Sequence, residues 1–145
     1  MDSFKKFKVA LCHPDAKYPE RKSPYAAGFD LYACENKVIK SQHRELVSTG
    51  IKIEIPEDCY ARVAPRSGLS VSEVDVGAGV VDSDYRGIIK VLLINNRTTD
   101  LVIDKGDRIA QLILEKIYTN HFMSVEEDEL SSSDRGSGGF GSTGK

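Results

Sequence analysis

The stretch Ile88-Ile-Lys-Val-Leu-Leu-Ile94, Asn95-Asn-Arg97, Leu101-Val-Ile103, Asp104-Lys-Gly-Asp107, Ile109-Ala-Gln-Leu-Ile-Leu-Glu-Lys-Ile117 decides the fold class. Its first run is almost wholly β-branched or Leu, which suits a strand covered on both faces. Asn95-Asn-Arg97 turns the chain toward Leu101-Val-Ile103, and Asp104-Lys-Gly-Asp107 turns it again into Ile109 to Ile117. Upstream, Ile51, Ile53 and Ile55 alternate with Lys52 and Glu54, the period of a half-buried strand, and Pro56-Glu-Asp58 ends it. No long i, i+3, i+4 apolar pattern with caps occurs, and the nearest helical candidate is a single turn near Ser67 to Glu73. Short strands broken by Gly, Pro, Asp and Asn predict an all-β chain: a sandwich, a barrel or a jelly roll.

A chain of 145 residues makes one domain, long enough to bury roughly 70% of its unfolded surface. The formal net charge of −2 gives no basic face for nucleic acid, and no apolar run is long enough to span a membrane. Met1-Asp-Ser-Phe-Lys-Lys has neither the apolar core nor the cleavage site of a secretory signal, so an intracellular protein, cytoplasmic or nuclear, is expected. Cys12, Cys34 and Cys59 are odd in number and widely spaced, as reduced thiols are, and His13, His43 and His121 are scattered singles. The β domain is expected over residues 1–118. From Thr119 the pattern dissolves, and Glu126-Glu-Asp-Glu129 and Ser131-Ser-Ser133 read as a solvated linker over 119–134. Residues 135–145 form a glycine-rich tail.

That tail, Arg135-Gly-Ser-Gly-Gly-Phe-Gly-Ser-Thr-Gly-Lys145, loses too much backbone entropy to order alone and has almost nothing to bury. It carries an Arg, an aromatic ring and a Ser-Thr pair, which suit a flat base and a phosphate. Gly139 to Lys145 even matches the spacing of a phosphate-binding P-loop, but no strand precedes it and no helix follows, so the match is one of spacing only. Four other segments are polar or glycyl where a plain strand is apolar. In Ala27-Gly-Phe-Asp-Leu-Tyr-Ala33, Asp30 is a turn-former, a partner for an Arg, or part of a site. In Ala64-Pro-Arg-Ser-Gly-Leu69, Arg66 and Ser67 are presented where the helical turn begins, a grip for polyphosphate. Gly77-Ala-Gly-Val-Val-Asp-Ser-Asp-Tyr-Arg-Gly87 reads as a β-hairpin whose backbone can offer N–H and C=O groups to a base edge. In Gly106-Asp-Arg-Ile-Ala-Gln-Leu112 a lone Gln111 lies in an apolar strand and needs a partner.

These five segments, in this order, resemble the five motifs of the trimeric dUTPase family: AGFDLYA, PRSGLS, GAGVVDSDYRG, GDRIAQL and RGSGGFGSTG. Together they reach from Ala27 to Gly144, and the compact form is similar to those of eukaryotes and their large DNA viruses. The resemblance implies a single-domain β jelly roll that forms a homotrimer with three shared active sites. The implied reaction is dUTP plus water to dUMP and pyrophosphate, with Mg²⁺ held mainly by the triphosphate. It makes Asp82 the general base toward the water that attacks the α-phosphorus. Arg66, Ser67, Gly68 and Gln111 would hold phosphates, while Gly79, Val80 and the backbone of Lys90 would read uracil. Tyr85 would pack beneath the deoxyribose and exclude a 2′-hydroxyl. Asp30 would reach the metal through water. In the tail, a mobile lid, Phe140 would stack on uracil, Arg135 would pair with the γ-phosphate, Ser142 and Thr143 would donate to it, and Gly141 would line the same contact.

Two departures from the family pattern fall at Ile88-Ile89-Lys90, where a polar residue at 88 and a glycine at 90 are commoner, and at Ser70 to Val74, one residue shorter than in many relatives. Two alternatives follow from the same fold: a relative that deaminates dCTP, and a binding module without catalysis.

Overall fold

The computed structural model describes residues 6–141. Its regular structure is almost entirely antiparallel strands: β1 (Lys8–Leu11), β2 (Phe29–Tyr32), β3 (Lys37–Ile39), β4 (Arg44–Ser48), β5 (Ile51–Glu54), β6 (Cys59–Ala64), β7 (Val74–Gly77), β8 (Val80–Val81), β9 (Lys90–Asn95), β10 (Leu101–Ile103) and β11 (Arg108–Lys116). One short helix, α1 (Ser67–Val71), interrupts them at the predicted turn. The strands pair in four ladders, β1-β5, β10-β3, β2-β11-β6-β8 and β4-β9-β7, and the fold they build is a jelly roll. None of the described helices is long and apolar enough to cross a membrane.

Alternation sets which face is buried. In β5, Ile51 and Ile53 point to the core while Lys52 and Glu54 face outward. The core gathers Leu31, Ile39, Val47, Val91, Leu93, Ile109 and Leu112 from facing strands. In β9 the expectation of full cover holds for one face only. Val91, Leu93 and Asn95 are buried, whereas Leu92 and Ile94 are half-buried. The buried polar side chains are satisfied: Thr49 Oγ1 donates to the Ile89 carbonyl at 2.7 Å. Asn95 Nδ2 donates to the Ile39 and Thr99 carbonyls, both at 3.0 Å. An unpaired amide there would cost about 1–3 kcal/mol. Cys12, Cys34 and Cys59 form no disulfide.

The 77–87 segment differs from the expected hairpin. Gly77 ends β7 against Leu92 of β9, whereas Val80 and Val81 pair with Arg62 and Ala61 of β6. Positive φ at Ala78 (53°) and Gly79 (109°) carries the chain from one sheet to the other. The two halves are therefore claimed by different sheets, and only the turn survives from the expectation, with the Tyr85 amide donating to the Asp82 carbonyl at 3.0 Å. Beyond β11 no described residue joins a strand, and the acidic linker forms a single exposed turn at Glu127–Glu129 with a reciprocal capping box between Glu126 and Glu129.

Candidate active site

Where β8 leaves β6 and β9 begins, the two sheets part and leave a cavity of about 300 Å³. Gly79, Val80, Asp82, Tyr85 and Lys90 line it, with Val63 and Ile89 as apolar walls. That volume is at the small end of the usual range for ligand pockets, roughly 300–1,000 Å³, so it suits a base and sugar rather than an extended polyphosphate. β8 is the edge strand of its sheet, and its outer backbone groups are not used by any neighbouring strand of the described residues. An edge of this kind can pair with a flat hydrogen-bonding ligand. Asp82 stands exposed at the rim, and the Lys90 side chain is also exposed.

Gly79 is required by this geometry. A Cβ there would lie 2.7 Å from the Val63 carbonyl oxygen, at a φ of +109° that side chains rarely adopt. Its own carbonyl accepts the Val63 amide at 2.8 Å, which binds the pocket floor to β6. Gly79→Ala should therefore cost about 1–3 kcal/mol of stability. The measurement is the urea midpoint, expected to fall at constant slope; an unmoved midpoint would refute the strain.

A second cluster lies along β2 and β11. Asp30 faces Gln111 across the ladder and is buried at 9% exposure, yet three cations surround its carboxylate. Arg108 Nη1 donates to Oδ2 at 3.4 Å, Arg66 Nε approaches Oδ1 at 3.9 Å and Lys22 Nζ approaches Oδ2 at 3.9 Å. The Arg-partner alternative for Asp30 thus describes the chain. The nearby Tyr32 phenol is held above its ordinary pKa by burial first, then by Glu20 and Asp30. Arg66 Nη1 also donates to the Arg108 carbonyl at 3.3 Å, and Arg66 is the N-cap residue of α1. Ser67 and Gly68 follow, both exposed, with first-turn amides that no earlier helical carbonyl can accept. Gln111 finds a protein partner, its Nε2 donating to the Pro65 carbonyl at 2.9 Å. Room for its carboxamide comes from Gly28, where a Cβ would lie 2.5 Å from Gln111 Oε1.

The predicted residues therefore fall into separate groups. Gly79, Val80, Asp82, Tyr85 and Lys90 share the pocket, while Asp30, Arg66 and Gln111 share the cationic cluster and do not line that pocket. β6 links the two groups, since Val63 is a pocket wall and Arg66 lies just beyond its end. The tail joins neither group in this chain. Arg135 Nε donates to the Gly138 carbonyl, Phe140 is fully exposed, and Gly141 is exposed beside it. Ser142 and Thr143 lie outside the described residues. Three contributors had no role in the sequence reading: Arg108, Lys22 and Gly28. Arg108 is marked by its place in GDRIAQL, but the Lys22 contact is set by loop geometry and has no local signal.

Mg²⁺ takes oxygen ligands in near-octahedral array. No group of three or more His, Cys, Asp or Glu side chains among the described residues could hold a metal ion. Asp30 is a single carboxylate already facing cations. The donor set does not fit an all-protein cage and would suit only a metal whose oxygen ligands come mostly from a bound phosphate chain.

A pocket of nucleoside size at a sheet edge, with a separate cluster of cations at the end of β6, defines a class of jelly rolls suited to small anionic ligands. The chain belongs to the dUTPase family, whose model matches residues 14–144. It is 51% identical over 138 residues to the deoxyuridine 5′-triphosphate nucleotidohydrolase of Yarrowia lipolytica, covering 94% of this chain and 88% of that one. It is also 51% identical over 129 residues to the Variola virus protein of the same name, covering 89% and 86%. Among solved structures, the Staphylococcus bacteriophage 80alpha dUTPase with dUPNHPP superimposes at a TM-score of 0.90 with 28% identity, covering 97% of this chain and 99% of the other. A phage phi11 dUTPase mutant, described with a coordinated structural Mg(II) ion, matches at 0.80 with 25% identity over 84% and 97%.

Proposed function

We propose that this protein hydrolyses dUTP to dUMP and pyrophosphate. The observation that carries the reading is the pocket formed by the edge strand β8 with Asp82 at its rim and Tyr85 at its side, in a chain of this family. The backbone of Gly79 and Val80, with that of Lys90, pairs with the uracil edge. Tyr85 packs under the sugar. Asp82 orients the attacking water at the α-phosphorus and accepts its proton, because it is the carboxylate that lines the cavity and no histidine does. Arg66, Ser67 and Gly68 hold the phosphates, and Gln111 supports them by fixing the Pro65 carbonyl. Mg²⁺ carried by the triphosphate would supply charge neutralisation, and Asp30 would meet it through water.

The working unit is a homotrimer with shared sites. Support comes from the separation of pocket and cationic cluster within one chain. A further support is the arm after β11, where Tyr118, Phe122, Met123 and Leu130 are all more than 60% exposed. Apolar side chains in such a row are normally covered by another surface. The tail, off both groups in its own chain, closes a site on a neighbouring copy. An intracellular site of action belongs to this reading, and three cysteines that form no disulfide support it.

The test is pyrophosphate release with Mg²⁺ from dUTP, dTTP and UTP. The expected kcat/KM for dUTP exceeds the others by roughly tenfold or more, the scale of single-group discrimination. Equal rates on the three nucleotides, or ammonia release from dCTP, would overturn the assignment.

A further inference from the structure

Gly87 is a glycine for reasons of space. Its φ is not in the left-handed region, so conformational freedom is not what the residue supplies. A Cβ at this position would lie 2.4 Å from Tyr85 Oη, 2.6 Å from Cζ and 3.0 Å from Cε1. The distal half of the phenol therefore occupies the volume that any other residue would fill. Two hydrogen bonds hold the residue there: Oη donates to the Ile88 carbonyl at 2.9 Å, and the Tyr85 amide donates to the Asp82 carbonyl at 3.0 Å. The residue is nonetheless 45% exposed, so it is anchored by these local contacts and not by core packing.

We propose that Gly87 is a specificity-determining residue that acts through Tyr85. With no side chain at 87, the ring folds back against its own chain and presents a fixed wall to the sugar. The inference rests on the reading that Tyr85 packs beneath the deoxyribose. A methyl group at 87 overlaps the phenol, which must swing away and release the Ile88 carbonyl. Because the ring borders solvent, this movement is cheap for the fold. It is costly for selectivity, since the wall that excludes a 2′-hydroxyl is displaced.

The experiment compares kcat/KM for dUTP and UTP in the native enzyme, Gly87→Ala, Tyr85→Ala and the double variant. Each single change should lower the dUTP:UTP ratio by roughly tenfold. The double variant should be no lower than Tyr85→Ala alone, because the glycine acts only through the ring. A lowered ratio in Tyr85→Ala with an unchanged ratio in Gly87→Ala overturns the proposal and leaves the Tyr85 role standing. An unchanged ratio in Tyr85→Ala overturns that role and this proposal with it. A double variant that falls well below Tyr85→Ala shows another route for Gly87 and also overturns it. Should Gly87→Ala fail to fold, Tyr85→Phe reads the same contact from the other end. It loses the Ile88 bond and should lower the ratio about threefold, and an unaltered ratio would refute the anchoring.

Discussion

Asp82→Asn is expected to bind dUTP nearly as well as the native enzyme while turning it over at least about 100-fold more slowly, the lower end of what a positioned base contributes. In barrier terms that is about 3 kcal/mol or more. Asn has almost the same shape, is equally at home in a turn, and leaves intact the main-chain bond from the Tyr85 amide to the residue-82 carbonyl. What it lacks is a carboxylate to take the proton from water. Asp84 provides the control. It lies two residues away and is also exposed, but it does not line the cavity. Asp84→Asn should stay within about twofold of native turnover, as expected of a surface change away from the chemistry. Pre-steady-state turnover and equilibrium binding of a non-hydrolysable analogue separate the two effects. A fully active Asp82→Asn enzyme removes Asp82 from the base role, and equal losses at 82 and 84 would point to the geometry of the 82–85 turn instead.

Strands β5, β9, β10 and β11 were legible because they rest on local signals. Alternation at Ile51 to Ile55 and the turn residues at Asp104 to Asp107 fix β5 and the β10–β11 connection whatever surrounds them. The 77–87 segment was misread because its periodicity is compatible with a hairpin. Which sheet claims each half depends on β6 and β9, which are distant in sequence. The site shows the same division. Asp82 and Tyr85 are close in sequence, so one motif delivers them to one pocket. Two of the three cations around Asp30 are non-local: Arg108 arrives from β11, 78 residues away, and Arg66 from the end of β6. Gln111 needed a partner on polarity grounds, but only the fold could say that the partner is the Pro65 carbonyl. Gly28 and Gly87 are likewise glycines whose reasons lie in what their neighbours' side chains occupy.

Truncation after Ser133 is expected to leave a stable, assembled protein with kcat/KM for dUTP reduced on the order of 100-fold. Stability should hold because residues 134–141 contribute nothing to the core. No buried residue falls among them, and their contacts include tail-internal ones such as Arg135 to the Gly138 carbonyl. Activity should fall for two separable reasons. Stacking a base on an aromatic ring contributes on the order of 1–3 kcal/mol, and a charge-assisted bond to phosphate about 1.5–3 kcal/mol. Part of that sum offsets the ordering of a segment with several glycines, so the net loss is smaller than the total. Phe140→Ala and Arg135→Ala divide the effect. The first should weaken dUTP and dUMP alike, because both carry uracil. The second should weaken dUTP but leave dUMP unchanged, because only the triphosphate has a γ-phosphate. The thermal midpoint and sedimentation of the truncated chain report its fold and assembly. An intact trimer that turns over dUTP at the native rate would refute the lid, and a chain that no longer assembles would give the tail a structural role instead of a catalytic one.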